Sequence, residues 1–129
     1  MSSNTSLERN KQIVRDFFDK MFAKHDVDGA LDNFKPDYIQ HNPNVPTGRE
    51  AIRAAFKQSV KDTPGIKTDI KRIIAEGDLV VVHHHFKPDP KVLGLAVIDI
   101  FRIEDGKIAE HWDLANPIPE NPKNNNSMF

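Results

Sequence analysis

The chain has 129 residues, of which 38% are hydrophobic and 29% are charged, and its formal net charge is -1. This length fits a single domain with its own hydrophobic core. A near-neutral chain without a basic stripe argues against binding to nucleic acid or to an anionic membrane surface. The sequence contains no cysteine, which excludes disulfides, thiol nucleophiles and thiolate metal sites. No apolar run has the length of a membrane span or the form of a secretion signal, so we expect a cytoplasmic protein.

The first part of the chain has helical spacing. Thr5 and Glu8 are spaced as in a capping box, and apolar residues recur at helical intervals from there to about Lys24. Asp26 or Asp28 is a suitable cap for a short second helix that ends before the next proline. We therefore predict a long amphipathic helix followed by a short one.

A third helix and a series of strands follow. Thr47 and Glu50 form a second capping-box pattern, which predicts a helix that closes at the Thr-Pro-Gly sequence of residues 63–65. β-Branched and alternating residues then fill 66–75 and 79–86, on either side of a Glu-Gly-Asp turn. Helices followed by strands predict an α+β fold in which an antiparallel sheet wraps around the helices.

The last two strands, within Val97–Asp113, carry most of the candidate chemistry. Asp99, His111 and Asp113 interrupt two apolar runs that are joined by Glu104-Asp105-Gly106. A carboxylate inside such a strand is costly to desolvate, so it needs a partner or a chemical role. The Asp-Gly sequence is a strong hairpin signal, because glycine tolerates the left-handed backbone of a tight turn.

The length of the hairpin loop decides which side chains share a face. With a two-residue turn, Asp99 lies opposite Trp112 and on the other face from Asp113. With a three-residue loop closed by a glycine bulge, Asp99 lies opposite His111, and Asp113 shares their face. We favour the three-residue loop, which gathers the titratable side chains on one face and leaves the other face to Ile98, Ile100, Ile108 and Trp112.

Three segments carry a family resemblance: Tyr38-Ile39-Gln40-His41-Asn42-Pro43, then Pro46-Thr47-Gly48-Arg49-Glu50, then residues 99–113. Together they resemble the SnoaL-like polyketide cyclase family of the nuclear-transport-factor-two-like superfamily. The resemblance implies an α+β, cystatin-like cone, in which N-terminal helices pack on a strongly curved antiparallel or mixed sheet around a pocket. It also implies a homodimer formed through the sheet. We expect one domain, residues 1–129, with irregular tails at 1–5 and 116–129.

The resemblance further implies acid/base chemistry without a metal or organic cofactor. The expected substrate is a small hydrophobic carbonyl compound, and the expected reaction is an aldol condensation of the cyclase type or an isomerisation. One fold hosts several chemistries, so a non-catalytic ligand-binding or dimerisation module is the alternative. Epoxide hydrolysis is a weaker third, because it needs an arginine between two carboxylates and Arg102 falls on the opposite face from Asp99.

The candidate catalytic residues are Asp99, Asp113, His111 and His41. Asp99 is either a general base in apolar surroundings or a structural carboxylate, while Asp113 matches the position of the family's catalytic aspartate or else faces water. His111 either moves a proton or serves as a structural partner, and the resemblance places His41 at the pocket mouth. Two carboxylates on one face disfavour each other's ionisation, so we expect at least one pKa to rise above about 4.

The candidate substrate-binding residues are Phe18, Tyr38, His83, His85, Val97 and Phe101. Tyr38 is either a donor to an oxyanion, as in isomerase relatives, or a core ring with its hydroxyl at the rim. Strand alternation puts His83 and His85 on the pocket face and His84 on the outer face. With Asp99 this pair would meet the donor demands of zinc or iron, but nothing else in the sequence supports a metal. We therefore expect a polar patch of the pocket wall.

Overall fold

The computed structural model describes residues 3–129, with side chains from residue 5 onward. Two helices and a π-helical segment precede the first strand, and a third helix precedes the other strands. The elements are α1 (Ser3–Phe18), the π-helical segment (Asp19–Ala23), α2 (Val27–Leu31), β1 (Phe34–Gln40), α3 (Arg49–Asp62), β2 (Lys67–Glu76), β3 (Leu79–Lys87), β4 (Leu95–Glu104) and β5 (Lys107–Pro117). None of the described helices is long and apolar enough to cross a membrane.

The described strands form a mixed sheet in the order β1-β5-β4-β3-β2. β1 runs parallel to β5, and the other neighbours pair antiparallel. Register shifts interrupt several of these pairings, and such bulges bend and twist a strand. The predicted α+β architecture, with N-terminal helices packed on a mixed sheet, is confirmed.

The helices bury their apolar stripe against one face of the sheet, which we call the inner face. Phe17 and Phe18 of α1 are each 4% exposed, as the helical spacing predicts. The ring of Phe17 packs edge-on against Phe34 of β1 and Phe101 of β4, at centroid distances of 5.0 and 5.9 Å. Burying a phenylalanine contributes about 1.5–3 kcal/mol, so these contacts fix where α1 crosses the sheet.

One of the predicted helix caps is present and another is not. The Asp26 carboxylate accepts a hydrogen bond from the backbone N–H of Gly29 at 3.0 Å, so the cap of α2 is confirmed. The capping box at Thr5 is wrong, because α1 begins at Ser3 and Thr5 lies inside the helix.

Thr47 is also not a helix cap. Gly48 occupies the cap position of α3 with a φ of 95°, a left-handed backbone that favours glycine. The Thr47 hydroxyl instead accepts from the backbone N–H of Gln40 and donates to the backbone carbonyl of Tyr38, at 3.1 and 3.2 Å. Thr47 therefore holds the end of β1, the strand that precedes the helix it was expected to cap.

The β4–β5 hairpin has a two-residue turn. Asp105 and Gly106 both have positive φ, 53° and 73°, and Glu104 pairs directly with Lys107. The favoured three-residue loop is therefore wrong. An aspartate followed by glycine adopts this primed turn readily, and the turn's twist matches the twist of the flanking strands.

A bulge in β5 then returns His111 and Asp113 to the inner face, from which the short turn alone would have removed them. Ile103 pairs with Ile108, but the next pair is Arg102 with Glu110, so Ala109 is the extra residue. Beyond the bulge Asp99 lies opposite Asp113, a pairing that neither sequence register predicts, and His111 shares their inner face. Ile108 is correspondingly fully buried in the core, and its predicted place on the outer face is wrong.

Regular structure extends further toward both ends than the sequence predicts. Residues 3–5 belong to α1, and residues 116–117 complete β5, where Pro117 pairs with Leu95 at the end of the strand. The predicted irregular tails are therefore too long at both ends. Residues 118–129 contain no helix or strand, and residues 1–2 lie outside the described part of the chain.

The outer face of the sheet carries a contiguous apolar strip that packs on no element of the described chain. Ile98 is 40% exposed and Leu114 is 83% exposed. The strip forms a shallow groove lined by His41, Leu79, Ile98, Ile100, Trp112 and Leu114, and Asp113 also borders it. Apolar patches of this kind mark interaction surfaces, so we propose that two copies of the chain associate through this face.

Leu114→Lys tests this association. A leucine lost from both sides of a symmetric interface costs about 1.5 kcal/mol per side, so the dimer dissociation constant should rise on the order of 100-fold. Sedimentation equilibrium measures the constant, and Val92→Lys, on the exposed loop between β3 and β4, is the matched control. A wild-type protein that sediments as a monomer at micromolar concentration would contradict the proposal.

Candidate functional site

A cavity of about 270 Å³ lies between the helices and the inner face of the sheet. Its wall is mainly aromatic, and it includes Phe18, Tyr38, Val97 and Phe101. Its polar groups lie on the sheet and in the loop after β1, and we call this polar part of the wall the polar end. The other lining residues are Phe17, Phe22, Phe34, Gln40, Asn42, Val45, Ile52, Phe56, His84, Phe86, Leu95, Asp99, His111, Asp113 and Ala115.

Asp99 lies at the centre of this polar end, held between two histidines. It is 6% exposed, on the middle strand β4, and β3 and β5 place a histidine on either side. Its Oδ1 is 2.7 Å from Nε2 of His111, and its Oδ2 is 2.5 Å from Nε2 of His84. Both carboxylate oxygens are therefore engaged, and each imidazole supplies a donor that compensates for lost hydration.

The network continues from His111 into β1. The parallel pairing of β1 with β5 puts Gln40 in register with His111. Oε1 of Gln40 is 2.8 Å from Nδ1 of His111, and Nε2 of Gln40 donates to the Tyr38 hydroxyl at 2.9 Å. The backbone N–H of Asn42 also donates to Oε1, at 3.0 Å. Because a backbone N–H can only donate, this contact fixes which way the Gln40 amide points.

On the other side the network reaches β2 through His84. The Thr68 hydroxyl makes a short hydrogen bond with Nδ1 of His84 and lies 3.0 Å from the backbone carbonyl of His85. The Phe18 ring packs edge-on against the His84 ring, at a centroid distance of 5.0 Å. Side chains of all five strands thus form one hydrogen-bonded chain from Tyr38 to Thr68 across the inner face.

Asp113 is the more accessible of the two carboxylates. Its side chain is 20% exposed, against 9% for that of Asp99. Nδ2 of Asn42 lies 2.9 and 3.1 Å from its two oxygens, and Oδ2 is 4.0 Å from Nε2 of His111. A carboxylate has about four lone-pair sites, so Asp113 keeps acceptor capacity for a molecule in the cavity.

The pKa values of Asp99 and Tyr38 are shifted in opposite directions. Burial alone would raise the pKa of Asp99, but hydrogen bonds from His111 and His84 outweigh burial and lower the pKa below its usual range. The predicted rise is therefore wrong for Asp99, because it has an imidazole on each side. Burial, followed by the charges of Asp99 and Asp113, raises the pKa of Tyr38 far above its usual value. The Tyr38 hydroxyl therefore keeps its hydrogen at neutral pH.

His41 lies on the outer face, away from the cavity wall. Its ring stacks on Trp112 at 4.8 Å, and its Nε2 is 2.6 Å from a carboxylate oxygen of Glu110. Gln40 is the neighbour of His41 that faces the cavity. The structure therefore places His41 in the groove of the outer face, which Asp113 also borders, and not in the cavity with Asp99.

His83 and His85 also lie on the outer face, so the predicted polar patch of the pocket wall is wrong. The His83 ring contacts a guanidinium nitrogen of Arg72, and Nε2 of His85 is 2.6 Å from the carbonyl of Leu93. The Phe129 ring stacks on the His85 ring at 4.7 Å. The metal set that would combine these two histidines with Asp99 is not assembled, because the sheet separates them.

Another group of metal-ligand types does converge in the cavity. Asp99, His111 and Asp113 bring one donor atom each within 4.8 Å of one another. The 2.7 Å contact between Asp99 and His111 is shorter than the separation of about 3.3 Å between tetrahedral ligands at about 2.0 Å from zinc. The distance between the two side chains therefore suits a hydrogen bond better than shared coordination of a metal ion.

Three polar residues of the cavity wall were not predicted as site residues: His84, Gln40 and Asn42. A signal for His84 exists, because its alternation series contains Val80, Val82 and Phe86, whereas the series of His83 and His85 ends at Lys87. The signal for the other two is similar, since residues two apart on a strand share a face and Tyr38 faces inward. Their partners on β5 could not be found from spacing, because the bulge at Ala109 sets the register.

Asp99→Asn tests the structural part of this arrangement. The amide has one acceptor where the carboxylate has two oxygens, so one imidazole loses its partner inside the protein. Breaking a buried pair of this kind should lower the free energy of unfolding on the order of 3 kcal/mol. Urea unfolding measures the loss, and Asp37→Asn, exposed on β1, should change stability by less than about 0.5 kcal/mol.

The same pair of proteins tests the direction of the Asp99 shift. A carboxyl group whose pKa is lowered in the folded state stabilises the fold above its unfolded pKa of about 4, and this contribution disappears as the pH falls through the folded value. The stability difference between wild type and Asp99→Asn should therefore shrink when the pH falls below about 4. A difference that widens with acid would show that the pKa is raised instead.

The chain has relatives of known structure but no match among curated proteins. TsrD from Streptomyces laurentii is 27% identical, with a TM-score of 0.69 over 84% of this chain and 89% of that one. A cystatin-fold protein from Novosphingobium aromaticivorans is 19% identical, with a TM-score of 0.73 over 81% and 97% of the two chains. A proposed polyketide cyclase from Bacillus cereus is 22% identical, with a TM-score of 0.70 over 84% and 74%.

These likenesses agree with the fold described above, and the sequence itself gives the family. The model of the SnoaL-like domain matches residues 14–111, which is most of the chain and runs from the last turn of α1 through α2, α3 and the strands to His111 in β5. The chain therefore belongs to the SnoaL-like domain family.

Proposed function

We propose that this protein is a small-molecule enzyme that removes a proton next to a carbonyl group. The observation that carries the proposal is the polar end of the cavity, where an accessible carboxylate, Asp113, and a protonated hydroxyl, Tyr38, face an otherwise aromatic space. Enolate chemistry needs a base for the C–H proton and a donor for the oxygen that becomes charged. Both are present without any further group.

Asp113 is the better base of the two aspartates. Asp99 has both oxygens engaged by imidazoles, so a substrate proton would have to displace a hydrogen bond that stabilises the fold. Asp113 is anchored by the Asn42 amide and retains free lone pairs toward the cavity. We assign Asp113 as the proton acceptor and Asp99 as the residue that holds His111 beside it, 4.0 Å from the Asp113 carboxylate.

Tyr38 is the donor to the developing oxyanion. Its oxygen accepts from Gln40, and no described residue accepts its hydrogen, which leaves that hydrogen for a ligand. Electrostatic stabilisation by a preorganised donor is worth about 10²–10³-fold in rate for one hydrogen bond.

The cavity sets the size and polarity of the substrate. A dry cavity of about 150 Å³ holds one benzene ring, so about 270 Å³ accommodates one or two rings. The wall supplies aromatic contacts to an apolar body, and the single polar end suits one carbonyl group. The enolate can then attack a second carbonyl, as in an aldol condensation, or regain its proton on another carbon, as in an isomerisation. The proposed polyketide cyclase among the structural relatives supports the first outcome.

Deuterium exchange tests the first chemical step without knowledge of the product. Small aryl ketones such as 1-indanone and 1-tetralone are incubated in D₂O, and NMR follows loss of the proton next to the carbonyl. Wild type should exceed the buffer rate, and Asp113→Asn should lose about 10²–10⁴-fold of that excess. Tyr38→Phe should lose about 10²-fold, because it removes the donor and keeps the ring.

Asp37→Asn is the matched control, since it makes the same chemical change on an exposed position of β1. It should leave the exchange rate unchanged. Ketones that raise the melting temperature of wild type without any exchange would support the alternative, a ligand-binding module on the same fold. If the protein neither exchanges nor binds these ketones, the proposal is overturned.

A further inference from the structure

Gln40 contacts both protonated groups at the polar end of the cavity. One end of its amide meets Nδ1 of His111, and the other end donates to the hydroxyl of Tyr38. The backbone of Gln40 is itself held by the Thr47 hydroxyl, at 3.1 Å. A neutral amide neither gains nor loses a proton, so Gln40 is not the acid or the base, and its contacts with His111 and Tyr38 position those two groups.

The amide orientation decides where the hydrogen of His111 lies. Oε1 of Gln40 already accepts from the backbone N–H of Asn42, so the same oxygen faces Nδ1 of His111. An oxygen acceptor requires the hydrogen on Nδ1. A neutral His111 would then point a bare Nε2 lone pair at Oδ1 of Asp99, 2.7 Å away. A second proton is therefore shared along that contact, between the imidazole and the carboxylate.

The other end of the amide decides where the hydrogen of Tyr38 lies. Nε2 of Gln40 donates to the phenol oxygen, so the phenol cannot donate back along the same line. Its hydrogen turns away from Gln40, toward the cavity that Tyr38 lines. A glutamate at this position would accept from the phenol and draw that hydrogen out of the cavity.

We propose that Gln40 is a positioning residue that sets the proton direction of His111 and Tyr38 together, and so makes the site select ligands with an acceptor oxygen. This rests on the function proposed above, and it deepens that function by naming the ligand's polar group. The ligand must present a carbonyl, enolate or phenolate oxygen to Tyr38. A cationic group such as an ammonium has no lone pair and cannot accept the Tyr38 hydrogen.

Two variants of Gln40 separate its two ends. Gln40→Glu keeps an oxygen toward Asn42 and His111 but loses the donor to Tyr38. Gln40→Met keeps the length of the side chain and loses both functions. Gln12→Glu, on an exposed position of α1, is the matched control for the added charge.

Two NMR measurements report the proton positions without any substrate. The ring nitrogens of His111 are observed in ¹⁵N-histidine-labelled protein and assigned with His111→Gln. In Gln40→Met, the ¹⁵N chemical shift of His111 Nδ1 should move toward the value of an unprotonated nitrogen. In Gln40→Glu, it should keep the wild-type value. The chain has a single tyrosine, so ¹³Cζ-tyrosine gives one resonance, which should move in both Gln40 variants and stay in place in Gln12→Glu.

Ketone exchange then connects the proton positions to the chemistry. Gln40→Glu should lower the exchange rate about 10²-fold, the effect of losing one oxyanion donor. Unchanged His111 nitrogens in Gln40→Met, or an unchanged Tyr38 resonance in Gln40→Glu, would overturn the proposal whatever the exchange rate. Absence of exchange in wild type with the expected NMR shifts would instead overturn the proposed function and leave the positioning role of Gln40 established.

Discussion

The Asp99 carboxylate, buried on the middle strand of the sheet, constrains the rest of the structure. Burying an ionised carboxylate without partners costs far more free energy than the net stability of a fold. Both of its oxygens therefore need hydrogen-bond donors. His84 and His111 meet that need from the two neighbouring strands, and each in turn requires a partner for its second nitrogen. Thr68 and Gln40 provide those partners on the two outermost strands. The charge of Asp99 thus requires polar side chains on every strand from one edge of the sheet to the other.

Strand register is what makes this network possible. Without the extra residue at Ala109, the two-residue turn would send His111 and Asp113 to the outer face. Asp99 would then lie in the core without the imidazole of His111. The bulge is therefore part of the site, although it lies outside the cavity wall. The parallel pairing of β1 with β5 has the same importance, because it brings Gln40 beside His111 from a distant part of the sequence.

Periodicity predicts those features that depend on local sequence. The amphipathic α1, the order of helices and strands, and the turn residues of both hairpins follow from spacing and from glycine chemistry. The bulge has no local signature, so the favoured loop was wrong even though the shared face of Asp99, His111 and Asp113 was right. The two predicted capping boxes are wrong because Thr5 lies inside α1 and the Thr47 hydroxyl bonds to the end of β1. The inward direction of His84 was readable from Phe86, two residues further along the same face.

The proposed function gives Asp99 a structural role and Asp113 a reactive one, and the surroundings of the two carboxylates differ accordingly. They lie directly opposite each other on neighbouring strands, but their hydrogen-bond donors and their exposure differ. Asp99 receives two imidazoles, which stabilise its charge and consume its lone pairs, whereas Asp113 receives one neutral amide and keeps contact with the cavity. A base must release its own hydrogen bonds to accept a proton, so the weakly held carboxylate is the better one. The strongly held carboxylate fixes the His111 ring from one side, while Gln40, whose amide is oriented by the backbone N–H of Asn42, holds the ring from the other.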